Sequence, residues 1–194
     1  MKNNYDLTEK LSEKNSIKIL ILLIIGAVFT RLYFTPFHIP ISLDGIDYFA
    51  YAVAMSREGM FPSGYLLTNF GWSSFLSIVF SFFKDSEMLE LMNIQRILNT
   101  AISVLIAIPI YLLIKTFFRK EIALLGATLF LFDPRIIQNS ILGGTDSLFI
   151  LFTILTILFI FYKKSSLIYL SFIFVALAAF VRYEGIVLII PLLV

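Results

Sequence analysis

The amino-acid sequence predicts an all-α fold, a polytopic transmembrane helical bundle, and three observations carry that expectation. Of 194 residues, 59% are hydrophobic and 14% charged, with a mean hydropathy of +0.94, far outside the range of a water-soluble domain. Charge-free apolar runs recur along the chain, each supplying a large part of the roughly 20 residues a helix needs to cross a bilayer. Twenty-one Phe, nine Tyr and one Trp suit a lipid-facing surface with rings at its interfaces. The same composition excludes several classes of function. With no Cys there is no disulfide, thiolate ligand or Cys nucleophile, and with His38 as the single histidine a metal would need oxygen ligands. A net charge of +2 argues for no nucleic-acid partner.

Taken in order, residues 1–16 form a polar leader expected on the cytoplasmic side. Lys2, Lys10, Lys14 and Lys18 precede the first apolar run, and no small-residue cleavage site follows it. It therefore reads as a signal anchor with a cytoplasmic N-terminus and a span over about 17–35. The stretch "NFGWSSFLSIVFSFF", Asn69 to Phe83, is the ambiguous one. If it spans, Lys115, Arg119, Lys120, Lys163 and Lys164 all fall outside. If it lies along the interface, all five fall inside with the leader lysines, as the positive-inside bias requires. Ser73, Ser77 and Ser81 recur opposite a stripe of Trp72, Phe75, Val79 and Phe83, the pattern of amphipathic juxtamembrane helices within one external loop over about 36–96.

Further spans are expected over about 97–118, 122–140, 147–162 and 165–181, with another starting at 186. The sequence stops inside an apolar run, "GIVLIIPLLV", and so reads as the N-terminal part of a longer protein, a transmembrane domain over 17–194 truncated at its C-terminus. In this topology Asp44, Asp47, Asp146, Arg182 and Glu184 share the external side. The run from Ile122 is short before "DPRIIQNSILGGTD" interrupts it with a proline and paired glycines. Irregular backbone at membrane depth needs protein or a water-filled cavity around it, which predicts an externally open cavity near Asp133, Arg135 and Asp146.

Each candidate residue has a structural and a chemical reading. In "LDGIDYFAYAVAM", a helix starting near Asp44 carries Asp44 and Asp47 on one face. They suit helix capping, and equally a general base or an oxygen-rich cation site. Asp146 suits the cap of the next helix, with Thr145 as a competitor. Arg182 and Glu184 mark a helix end, yet an Arg at an outer face is a good fork for a phosphate. Arg135 is a second such group, Tyr48, Tyr51 and Tyr183 suit an interfacial belt, and His38 is structural. These residues fit an enzyme acting on a lipid-linked substrate, and they also fit a cation-coupled transporter or a non-catalytic membrane subunit.

The same segments, in the same order, resemble the GT-C superfamily of membrane glycosyltransferases. The resemblance is to its protein O-mannosyltransferase and aminoarabinose-transferase types, and it covers most of residues 17–194. "LDGIDYFAYAVAM" resembles their first external loop, with Asp44 at the catalytic Asp and Gly45 where the family usually has Glu. "GYLLTNFGWSSFLSIVFSFF" is similar to the juxtamembrane helices of that loop, and "RILNTAISVLIAIPIYLLIKTFF" to the next span. "LGATLFLFDPRIIQNSILGGTDSLFILFTILTILFI" resembles the segment bearing a second external acidic residue, Asp146, and "AAFVRYEGIVLIIPLL" a later turn with a basic residue. The resemblance implies a GT-C-like bundle that moves a sugar, with inversion, from a polyprenyl-phosphate donor to an acceptor protein, lipid or glycan at the extracytoplasmic face. Asp44 would be the general base. Asp47 and Asp146 would orient the acceptor or, with Asp44, hold a divalent cation as cofactor. Arg182 and Arg135 would neutralise the lipid phosphate, and Glu184 and Tyr48 would complete the substrate-binding set.

Overall fold

A computed structural model describes residues 2–42, 44–60, 69–162 and 168–193, with side chains from residue 13 to 192 within them, and every regular element among the described residues is helical. Helix α1 (Lys2–Phe34) carries the polar leader and the first apolar run without a break. The leader is rich in Lys, Glu and Leu, strong helix formers, so nothing in it stops the helix. Two helices, α2 (Asp44–Glu58) and α3 (Gly71–Phe80), pack on each other. Helix α4 (Met88–Leu105) starts well before the apolar run at Ile97 because the Glu90 carboxylate accepts the backbone N–H of Glu87 at 3.2 Å and secures the first turn. It continues as α5 (Ala107–Phe117). The one-residue interruption at Ile106 is explained by Pro109, which has no N–H for the carbonyl of Leu105.

The segment expected as one span over 122–140 is instead two helices, α6 (Lys120–Leu131) and α7 (Pro134–Leu142). Pro134 starts a helix here. It occupies the first turn of α7, where a missing N–H costs nothing, and the Asp133 carboxylate caps that turn by accepting from the N–H groups of Arg135 and Ile136 at 2.8 and 3.1 Å. Gly143 closes α7 at φ +74°, a left-handed conformation that favours glycine. After it come α8 (Asp146–Ile160), α9 (Ile168–Val181), a 3-10 turn (Tyr183–Ile189) and α10 (Ile190–Leu193). Lys163 and Lys164, used above to weigh the topology, lie outside the described residues.

The long helices alternate in direction, which gives the bundle two chemically different ends. Asn93, near the start of α4, donates to the Phe37 carbonyl just beyond α1 at 2.9 Å. At the other end Lys115 pairs with Glu13 of α1. Phe117 meets Phe161 edge-on at 4.9 Å near that same end, while Asp146 at the start of α8 reaches Arg182 at the end of α9. One end thus gathers Lys115, Arg119 and Lys120, and the other gathers the starts of α2, α4 and α8. Between them lie two cores. One joins Leu20 and Ala27 of α1 to Ala107, Tyr111, Ala123, Ala127 and Leu131, a seam of small residues that lets backbones approach closely. The other packs Phe49, Ala52, Trp72, Leu76, Phe80, Leu148 and Val181.

Helix α3 differs from the expected interfacial pattern. The stripe of Trp72, Phe75, Val79 and, beyond the helix end, Phe83 does not form one face: Trp72 is fully buried, whereas Phe75 and Phe83 are exposed. The indole Nε1 donates to the Gly143 carbonyl at 2.8 Å. That partner draws the ring inward, as a buried tryptophan requires, and Ser73, Leu76, Ser77 and Phe80 follow it to the buried side.

Arg31, within the first apolar run, is also fully buried. Its guanidinium donates to the Leu131 carbonyl at 2.9 Å, Ser140 Oγ at 3.2 Å, Ser103 Oγ at 3.3 Å and the Ala27 carbonyl at 3.2 Å. Leu131 ends α6, so this carbonyl has no helical donor of its own. One side chain thereby ties α1 to α4, α6 and α7. The forked geometry belongs to arginine; an ammonium cannot meet all these oxygens at once. Arg31→Lys should therefore lower the unfolding free energy by about 1–3 kcal/mol, read as a lower thermal midpoint in detergent.

Candidate active site

At the end of the bundle away from Lys115, a cavity of about 290 Å³ is lined by Asp44, Tyr48, Asn69, Gly144, Thr145, Asp146, Arg182, Tyr183 and Glu184. Five of the residues to which the resemblance gives a catalytic or substrate-binding role thus meet: Asp44 and Tyr48 from α2, Asp146 from α8, Arg182 and Glu184 from the turn after α9. On α2 the pairing is Asp44 with Tyr48. At 3.6 residues per turn a residue four positions on lies about 40° away, whereas one three positions on lies about 60° away in the other direction. Asp47, exposed like Asp44, is absent from the lining, because the way α2 is rolled against its neighbours brings Asp44 and Tyr48 to the cavity.

Two further expectations change. Asp133 and Arg135 are exposed at the start of α7 and line no part of this cavity. Asp133 is committed to capping, and the irregular backbone that borders the cavity is the later Gly144–Asp146 stretch. Asp44, Asp47 and Asp146 do not come together as a ligand set: among the described residues no group of three His, Cys, Asp or Glu side chains is spaced to hold a metal ion. The cavity's positive charge is Arg182.

Arg182 is held from several directions. Its Nη1 donates to Asp146 Oδ1 at 2.6 Å and its Nη2 to Glu184 Oε1 at 3.0 Å, while the guanidinium lies 5.5 Å from the centre of the Phe149 ring. The hydrogen bond with Glu184 is the main cause that raises Arg182 above its ordinary pKa, and it holds the Glu184 carboxyl below the usual carboxylate range. Asp146 is thus turned to Arg182: neither it nor Thr145 caps α8 through its side chain. The turn itself is anchored by the Tyr183 N–H, which donates to Asn69 Oδ1 at 3.1 Å.

Sequence reasoning passed over Asn69, whose only signal was a polar side chain just before an apolar helix. Gly45 acquires a reason. It is buried, and a Cβ there would run into the Leu142 carbonyl oxygen and the Ile41 side chain. No side chain fits where α2 crosses the end of α7, so the Glu that the resemblance leads one to expect beside Asp44 would not be accommodated here. The carboxylates that accompany Asp44 in the cavity are Asp146 and Glu184.

A family model described as dolichyl-phosphate-mannose-protein mannosyltransferase matches residues 72–194. The match contains Asp146, Arg182 and Glu184 and begins after Asp44 and Tyr48. No curated protein and no solved structure matches the chain.

Because α2 sits against a backbone oxygen, Gly45→Ala should push it off α7 at a cost of about 1–3 kcal/mol, the usual range for overpacking. Thermal unfolding in detergent measures it, and Gly45→Glu should be at least as damaging.

Proposed function

Since the chain belongs to the dolichyl-phosphate-mannose-protein mannosyltransferase family, a family of membrane glycosyltransferases that use a lipid-linked sugar, we propose a specific division of labour in its cavity. The protein moves a sugar from a polyprenyl-phosphate donor to an acceptor hydroxyl or amide at the extracytoplasmic face, with inversion. Asp44 takes the acceptor's proton as its oxygen or nitrogen attacks the anomeric carbon. The bond from that carbon to the phosphate oxygen breaks, and the polyprenyl phosphate leaves with the negative charge. Arg182 faces that charge: of its five N–H donors, three engage Asp146 and Glu184, and two are left for phosphate. Asp146 orients Arg182, and Tyr48 borders the acceptor side.

The observation that carries this reading is the meeting of Asp44 with Arg182 in one cavity, a base and a phosphate fork together. An apolar groove of about 520 Å³ between the end of α1 and α7, lined by Phe34, Pro36, Ile137, Ile141 and Leu142, suits an isoprenoid tail. Leu142 on its wall lies against Gly45, the residue after Asp44. The extracytoplasmic placement is supported by the gathering of Lys115, Arg119 and Lys120 with the start of α1 at the opposite end, where the positive-inside bias wants them.

Transfer assays in membranes, with polyprenyl-phosphate mannose as donor, test the base directly. Asp44→Asn should reduce turnover by about a hundredfold or more with donor binding unchanged, and Asp47→Asn should have little effect. Undiminished transfer by Asp44→Asn would remove the proposed base.

The orientation has its own test in a chain without cysteine. A cysteine replacing Asp47 should react with a membrane-impermeant maleimide on intact cells, and one replacing Arg119 only after permeabilisation. External labelling at position 119 would reverse the topology.

A further inference from the structure

Helix α4 carries an amide, Gln95, that is fully buried beneath the cavity. Its Nε2 donates to the carbonyl of Gly45 at 3.0 Å and to the carbonyl of Gly143 at 2.7 Å. Gly45 directly follows Asp44. Gly143 directly precedes the stretch that ends at Asp146. We propose that Gln95 is a positioning residue, which sets the separation of Asp44 and Asp146 by holding the backbone beside each of them on a single nitrogen.

Three features favour this reading over general adhesion between helices. First, both hydrogens of one planar amide nitrogen are used, so the angle between the two carbonyls is fixed along with their distances. Second, the amide oxygen of Gln95 has no partner among the described residues, so the bonds this buried amide makes are the two to the glycine carbonyls. Third, both glycines fit closely around this arrangement. A Cβ at Gly143 would meet Gln95 Nε2 at 3.1 Å, and one at Gly45 would displace α2. Trp72 also donates to Gly143, but it does not bridge to Gly45. It holds one wall of the cavity, and Gln95 holds two.

The catalytic meaning of this bridge rests on the transferase reading above, whereas its geometry does not, and one experiment separates them. Hydrogen–deuterium exchange is followed by mass spectrometry on the whole chain in lipid nanodiscs, for wild type, Gln95→Met and Trp72→Phe. Methionine keeps the length of glutamine and has no donor. Gln95→Met should speed exchange about tenfold in segments 44–49 and 143–148 together, with α9 unchanged, and Trp72→Phe should speed it in 143–148 alone. Transfer from polyprenyl-phosphate mannose should then fall about tenfold in kcat for Gln95→Met, with the donor KM unchanged. If Gln95→Met does not accumulate, Gln95→Asn, one methylene shorter and able to reach one carbonyl, replaces it with the same expectation at the released segment. Faster exchange in only one segment for Gln95→Met, or throughout the bundle, overturns the proposal. So does an unchanged kcat in an active enzyme. If wild type transfers no sugar, the transferase reading fails and the exchange pattern alone decides whether Gln95 sets the spacing.

Discussion

The Arg31 guanidinium lies in the interior of an apolar bundle and directs its donors to neutral oxygens on four helices, its own included. Placing a charge there is costly on any scale, and what offsets it is that the guanidinium meets four oxygens, among them a helix-end carbonyl that would otherwise lack a donor. The most demanding is the Leu131 carbonyl, because α6 stops where α7 starts and the last turn of α6 has lost its continuation. The broken run over Lys120–Leu142 is therefore possible because α1 supplies a donor from the side. The break in turn lets α7 lie so that Gly143 comes under Trp72 and Gln95, and the walls of the cavity depend on that placement.

Above this hub the cavity is assembled from element ends. The start of α2, the start of α8 and the turn after α9 each contribute one or two polar groups, and α4 provides the surface on which they are set. Gln95, Asn99 and Ser103 follow one another at intervals of four along its buried face. Asn99 Nδ2 donates to the carbonyls of Asn139 and Ser140, both at 3.1 Å, so the last turn of α7 is satisfied by the same stripe that reaches Gly143. Polar side chains inside an apolar helix are thus serving the unmet carbonyls of a neighbour.

Much of this was legible in the sequence, and the rest was hidden for identifiable reasons. The helical class and the runs that became α8 and α9 were plain, since an apolar run bounded by charges has few alternatives. Asp44, Asp146 and Arg182 stood out because a charge beside such a run needs an explanation. Asp47 was grouped with Asp44 because spacing of three reads as one face, and the choice between three and four depends on which way the helix is rolled by its neighbours. Arg135 was drawn in by proximity to Pro134, whose role as a helix start needs the Asp133 cap to be recognised. Trp72 was assigned to the wrong side of α3 because its partner is a backbone carbonyl far along the chain. Arg31 falls within the expected first span over about 17–35, and its partners are invisible without tertiary structure. The stripe of Gln95, Asn99 and Ser103 was there to be seen, a period of four at the start of an apolar helix.

The tight fit around Gly143 also bears on how this chain can diverge. Positions 45, 72, 95 and 143 touch the same few atoms, so their substitutions should not combine additively. A larger residue at 45 becomes acceptable only if α7 recedes, and a receding α7 takes the Gly143 carbonyl away from both its donors. A chain with an acidic side chain at position 45 would then have to differ at the other three positions too. The quartet should drift as a block, so that its composition is a better marker of lineage within the family than any of its members read singly.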